Sequence, residues 1–228
     1  MPPREIYLPP SLYIIGTVNM DETTHAFSPK VLDRAFTIEL TEVDFTTYDP
    51  GAENSSPSLD EAGKRAMLAE FTRGSRFAWI DKGEVAAAIV AHPEIRVHLQ
   101  SLNGLLKRNR FHFGYRIFDE IAQYLHNNDQ NGMMPFPEAF DAAVFMKVLP
   151  KFAGSRSRLR APLLSLLAWA IDPALPPTKE TVTSFETHMD GKSEALRARV
   201  DGAALPRVAS RALQMLETVE SDGFVSFG

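Results

Sequence analysis

The chain has 228 residues and a net charge of -5, from Lys plus Arg 24 against Asp plus Glu 29; this suits one good domain or two small ones and argues against a generally basic nucleic-acid coat, though not against a local basic face. Hydrophobic residues at 44% and charged residues at 23% are ordinary for a soluble globular chain, and the absence of cysteine excludes disulfides, thiolate nucleophiles and cysteine-ligated metal sites. No apolar run approaches the roughly 20 residues that cross a bilayer, and Met1-Pro2-Pro3-Arg4-Glu5 has no apolar core of a secretory signal, so a cytoplasmic protein is expected.

The first readable element is Leu12-Tyr13-Ile14-Ile15, an apolar run ending in Gly16-Thr17-Val18-Asn19. Continuous apolar residues with β-branched members predict a strand buried on both faces, as in a parallel sheet. Its polar carboxyl end lies where open α/β sheets bind ligands. Ser28-Pro29 predicts a helix start, serine as N-cap and proline at the first helical position. That helix is short and carries Lys30 to Ala35. Phe36-Thr37-Ile38-Glu39-Leu40 then alternates with the period of a strand. Together these predict a βαβ crossover.

Tyr48 to Pro57 is rich in breakers and polar residues and reads as a loop or linker. From about Leu59 onward helical patterns dominate. Glu84 to Ala91 is rich in good helix formers. Ile117, Ile121 and Leu125 recur at helical spacing, and Phe140, Val144 and Val148 repeat it. Leu163 to Ile171 reads as a central core helix, stopped by Asp172-Pro173. Pro206 opens a last helix with Val208, Ala212, Met215 and Val219 on one stripe, closed by Asp222-Gly223. The expected fold is α/β plus α: a short βαβ piece followed by a larger, mainly helical region.

The block Gly16-Thr17-Val18-Asn19-Met20-Asp21-Glu22-Thr23-Thr24, followed by Phe27-Ser28-Pro29-Lys30-Val31-Leu32-Asp33-Arg34-Ala35, resembles the carboxyl half of an AAA+ nucleotide-hydrolysing core. Within that superfamily it is most similar to the McrB-like branch, named after the motor subunit of a modification-dependent DNA restriction system. Phe113-Gly114-Tyr115-Arg116 with Asp119-Glu120-Ile121 resembles that branch's lid helix. Lys147 to Phe152 with Gly154-Ser155-Arg156, and Gly223 to Phe227, resemble its later blocks.

The resemblance implies three parts: residues 1–45 as the carboxyl-terminal part of the α/β core, 46–110 as linker and helical insertion, and 111–228 as the helical lid domain. It implies that Asn19 is sensor-1, which places the attacking water. It implies that Arg34 is the arginine finger, which reaches the γ-phosphate in a neighbouring subunit. The resemblance also implies that Arg116 is sensor-2, the lid arginine that reads bound nucleotide. For the complete protein the resemblance implies ATP or GTP with Mg as cofactor. The implied partners are further copies in a ring, hexameric by resemblance, a McrC-like nuclease subunit and, indirectly, DNA. These residue types suit the chemistry. Phosphoryl transfer needs positioning and charge neutralisation rather than covalent help. Asparagine both donates and accepts, and arginine stays charged and presents a planar fork of donors.

Two parts of such a core are missing. No G-x-x-x-x-G-K-[ST] phosphate loop occurs; Gly191-Lys192-Ser193 has Glu186 where the first glycine belongs, and a carboxylate there would repel phosphate. No acidic pair ends an apolar strand, because Asp21-Glu22 follows the sensor-1 position. The sequence therefore reads as a carboxyl-terminal part, with the nucleotide cradle expected upstream of Met1. Neither tight nucleotide binding nor hydrolysis is expected of this chain alone, and no metal site.

Each assignment has a plainer counterpart. Asn19 alone is a strand-end residue entering a turn. Arg34 alone is a surface arginine paired with Asp33 or a glutamate. Arg116 alone stabilises a loop or caps a helix. The sets Lys107, Arg108, Arg110 and Lys151, Arg156, Arg158, Arg160 could touch phosphate, but charge runs are more often solvated faces. The six histidines have no metal-ligand spacing, and Trp79 and Trp169 read as core. A second reading makes the chain a non-catalytic helical adaptor, with the βαβ piece as a docking stub. A third, a nucleic-acid-binding helical domain, sits badly with the net charge. A broad apolar surface left on the first strand would favour the first reading, and a sheet capped by the chain's own helices the second.

Overall fold

The computed structural model describes residues 12–18, 28–40, 45–46, 59–74, 79–174 and 194–225. The chain divides into two packed units, residues 1–19 with 40–80, and residues 20–39 with 81–228. This division follows packing, whereas the three-part division above follows resemblance.

Among the described residues, helix α1 (Pro29–Leu32) belongs to the second unit and helix α2 (Glu61–Thr72) to the first. Asp60 starts it by accepting from the Gly63 N–H at 2.7 Å, which satisfies one of the orphan donors of a helix N-terminus. Arg73 ends it in the left-handed region, φ 48. No residue of α2 is buried. The Tyr13 hydroxyl donates to the Phe71 carbonyl, and the two rings meet edge to face with centroids 6.2 Å apart. Arg73 donates to the Trp79 carbonyl at 3.0 Å.

The second unit begins with α1, Pro29–Leu32, which starts at the proline, as the sequence predicts. Its main body is helical: α3 (Lys82–Ala91), α4 (Glu94–Lys107), α5 (Tyr115–Asn131), α6 (Phe136–Lys147), α7 (Arg156–Ile171), α8 (Glu194–Asp201) and α9 (Pro206–Asp222). A 3-10 turn spans Leu149–Lys151. The predicted stripes are the buried ones. Ile117, Ile121 and Leu125 of α5, Phe140 and Val144 of α6 with Val148 after it, and Val208, Ala212, Met215 and Val219 of α9 all enter one core. Helix α7 is the central element foreseen at Leu163–Ile171 and packs most extensively against α9. Trp169 is fully buried in it.

Helix ends have identifiable chemistry. Asp81 caps α3 through the Gly83 and Glu84 N–H groups. Gly223 ends α9 in the left-handed region at φ 77, where glycine carries no Cβ penalty. The chain then forms β2, Phe224–Val225, antiparallel to β1, Gly154–Ser155, in the register Gly154 to Val225 and Ser155 to Phe224. This pair joins two of the blocks that carry the family resemblance.

Three expectations are corrected. Residues 12–18 and 36–40 carry no strand. A strand is defined by ladder bonds to a neighbour, and a two-sided apolar run gains nothing from extension without sheet partners. In 36–39 the alternation does not separate a buried from an exposed side, since Phe36 packs against Lys147 and Tyr124 and polar residues also turn to the helices. The Thr37 N–H donates to the Met146 carbonyl at 3.2 Å and Glu39 pairs with Arg211 at 2.5 Å, while Ile38 is 71% exposed. Trp79 is not core: it is 70% exposed, in a short connecting stretch beside a helix that buries nothing.

Candidate functional site: the Arg34 loop

Helix α1 is too short to hold itself in place, so the residues after it are fixed by tertiary contacts. The Arg34 and Ala35 N–H groups both bond to the Val31 carbonyl, at 2.9 and 3.1 Å. This closes a tight turn at the end of α1. Around it, the second unit supplies three cations and one carboxylate.

Lys147, the last residue of α6, is completely buried. A buried ammonium is costly unless paired and hydrogen-bonded, and Lys147 has three donors to satisfy. It forms an ion pair with Glu120 of α5. It donates to the Ala35 carbonyl at 2.9 Å and approaches that of Asp33 at 3.5 Å. It also lies 4.7 Å from the centre of the Phe36 ring, a cation–π contact. The same ring stacks with Tyr124 at a centroid distance of 5.9 Å. Burial raises the Tyr124 pKa.

Asp33 is held by its side chain. Lys151 donates to Asp33 Oδ1 at 2.7 Å, and the Arg116 guanidinium lies 3.7 Å from Oδ2. The Lys151 hydrogen bond, with the charges of Lys151, Arg116 and Lys147, holds the Asp33 carboxyl below its ordinary range against the opposing effect of partial burial. Arg34 stands between these two anchored residues and is itself exposed. Its plainer reading, a pair with Asp33, is not the arrangement found: Asp33 is engaged by Lys151 and Arg116.

The structure thus brings Arg34 and Arg116 into one neighbourhood, linked through Asp33. Arg116 sits in the first turn of α5, half exposed. That helix follows Gly114, and the preceding loop is fixed by Asn103, which donates to the Phe113 carbonyl at 3.1 Å and accepts the Phe113 N–H at 2.8 Å. Asn19, Asp21-Glu22 and Gly191-Lys192-Ser193 lie outside the described residues. Lys147 and Glu120 are the members that sequence reasoning passed over as individuals. Both fall in quoted blocks, and the signal in the sequence is a lysine that follows the apolar run Ala142 to Met146.

The basic sets separate. Lys151 is on Asp33, Arg156 and Arg160 converge on Glu220 at 2.5 and 2.7 Å, and Arg158 lies 5.2 Å from the centre of the Phe111 ring. Lys107, Arg108 and Arg110 are exposed at and just beyond the end of α4. A cleft of about 510 Å³ between α4 and the start of α5 is lined by Arg96, Gln100, Asn103 and Tyr115 among others. Among the described residues no group of three or more His, Asp or Glu forms a metal-ligand set. No helix of the described residues is long and apolar enough to cross a membrane.

The model of a family described as Domain of unknown function (DUF8727) matches residues 70–224, and the chain belongs to that family. No curated protein matches, and no solved structure does.

Proposed function

We propose that this family member is the sensor, finger and lid portion of a McrB-like AAA+ NTPase. In this reading it acts in a ring in which Arg34 serves the nucleotide of a neighbouring subunit. The observation that carries the reading is the presentation of Arg34: a permanently charged, exposed side chain between two residues fixed by buried or paired cations. A finger needs that combination, because charge stabilisation without reorganisation at the moment of reaction depends on a donor already in place. Asn19 would place the water, and Arg116 would read nucleotide bound to its own subunit.

A second feature supports a surface for a P-loop-bearing half. Ile14 and Ile15 are 81% and 88% exposed, although their run has the composition of a doubly covered strand. Such residues suit a surface covered by a partner. The nucleotide cradle, and with it ATP or GTP and Mg, would come from a P-loop-bearing half of the core. A McrC-like nuclease subunit and DNA, contacted indirectly, would be the further partners. The setting would be cytoplasmic.

The adaptor reading has its own support. The family match begins at residue 70, beyond the Arg34 block, and the second unit has a continuous core of its own. The helical part could therefore serve as a partner-binding module without catalysis. Turnover decides between the two. In the assembly containing this chain and a P-loop half, Arg34→Ala should lower ATP or GTP turnover by roughly 10³-fold or more, with nucleotide affinity nearly intact. Unchanged turnover removes the finger and leaves the adaptor.

A further inference from the structure

We propose that Lys147 is a positioning residue for Arg34, tying the lid-like helices to the loop that carries the finger. The inference rests on the Arg34 reading and extends it to a residue that touches no substrate. Its basis is one ammonium group serving several groups at once. Lys147 Nζ binds the Ala35 carbonyl at 2.9 Å, approaches the Asp33 carbonyl at 3.5 Å and pairs with Glu120. Asp33 and Ala35 are the residues immediately before and after Arg34. Carbonyls on both sides of one residue, drawn to a common cation, fix the backbone of the residue between them.

The surroundings make this more than a local hydrogen bond. Lys147 is fully buried, so its charge has no water to turn to and must keep these partners. The Phe36 ring, just beyond Ala35, closes the same cation at 4.7 Å. Lys151, four residues along the chain from Lys147, holds the Asp33 carboxylate at 2.7 Å. The two lysines therefore divide the work: Lys147 takes the main chain and Lys151 the side chain. Glu120 comes from α5, the helix that also carries Arg116. A shift of α5 relative to α6 would disturb Lys147 and, through it, the Arg34 backbone. The lid arginine and the finger are mechanically joined by this route.

Two variants test the inference in the full chain. Lys147→Met keeps the stem and removes the ammonium; Glu120→Gln keeps the shape and removes the charge that pairs with Lys147. Amide exchange is followed by NMR at Arg34, Ala35 and Thr37, whose N–H groups are bonded to Val31 and Met146. Exchange there should quicken by about tenfold or more in Lys147→Met while the amides of Ile121 and Leu163 hold, a local opening rather than a global one. Unchanged exchange at the three amides overturns the inference, as does equal quickening throughout. If Lys147→Met does not fold, Glu120→Gln must give the same local pattern in smaller measure, and its failure to do so counts against the inference.

Turnover in the nucleotide-hydrolysing assembly supplies the second readout. Lys147→Met should lower kcat with nucleotide affinity unchanged, and the Lys147→Met, Arg34→Ala double variant should be no slower than Arg34→Ala, because both remove one function. Loss with Arg34→Ala but none with Lys147→Met sinks the positioning role and leaves the finger. No loss with Arg34→Ala sinks the finger reading, and the positioning role falls with it. A double variant markedly slower than either single variant means Lys147 acts independently, which also overturns the proposal.

Discussion

Lys147 and Ala35 are joined by a 2.9 Å hydrogen bond across 112 positions of sequence. That bond attaches the short segment after α1 to the helical core. Because the ammonium also pairs with Glu120, removing it leaves a carboxylate and two carbonyls without their cation. Lys147→Ala should destabilise the second unit by about 3–5 kcal/mol. Lys147→Met with Glu120→Gln should recover part of that loss, since breaking a buried pair costs more than replacing it. Chemical denaturation of the single and double variants measures both.

Asp33 gives the segment a dependence on acid. Its carboxyl is held below the ordinary range, first by the Lys151 hydrogen bond, so the folded pKa is lower than the unfolded one. The corresponding stability is present above the ordinary carboxylate value, about 3.9, and is lost as pH falls through the depressed folded value. Asp33→Asn should therefore flatten the acid limb of stability against pH. An unchanged limb would show that other carboxylates carry it.

Asp141 contributes in the opposite sense. It is buried on α6 and accepts the N–H groups of Arg207 and Val208 at 2.9 and 3.1 Å. It thereby caps α9, whose own Leu205 provides no side-chain cap. Burial raises its pKa, against the lowering effect of those two bonds. The linked stability is present below the ordinary carboxylate value and declines as pH rises through the raised folded value. Asp141→Ala should cost about 1–3 kcal/mol through unsatisfied donors at the α9 start. Asp141→Asn should cost less and remove that decline, as seen by denaturation across the pH range.

Gly223 tests the turn from α9 into the β1–β2 pair. Its φ is 77 and a Cβ built there meets nothing within 4 Å. Only backbone conformation opposes a side chain. Gly223→Ala should cost about 1 kcal/mol, and Gly223→Asn less, because asparagine tolerates the left-handed region. Thermal unfolding separates the two.

Much of the helical unit was readable from spacing alone. The stripes at Ile117, Ile121, Leu125 and at Val208, Ala212, Met215, Val219 had to face something apolar, and Pro29, Pro206 and Gly223 marked ends by their fixed or free φ. The sheet was not readable in the same way. Strand composition at Leu12–Ile15 and alternation at Phe36–Leu40 are local signals, whereas a strand requires a neighbour that no local signal provides. The β1–β2 pair escaped for the reverse reason, since two residues per strand carry no period. At the site, residue type pointed to Arg34 and Arg116. Asp33, Lys147 and Lys151 became meaningful only when folding brought positions 33–36, 116–120 and 147–151 together.

The two arginines should separate kinetically. If Arg116 reads nucleotide on its own subunit, Arg116→Ala should weaken nucleotide binding more than it lowers kcat. It should also loosen Asp33, its partner at 3.7 Å. Titration of ATP and GTP against the assembly, alongside turnover, gives both quantities. An equal loss in kcat with full affinity would remove the sensor assignment.

On the proposed reading, Arg34 acts on a triphosphate held by a neighbour. Subunit mixing measures this most directly. Arg34→Ala subunits with an intact P-loop half are combined with subunits that keep Arg34 but cannot bind nucleotide, and ATP and GTP turnover is recorded. The account predicts that each preparation alone is nearly inactive and that the mixture recovers turnover, because the finger is supplied across the boundary. A mixture as inactive as its components, or full activity of the Arg34→Ala subunits alone, would contradict it.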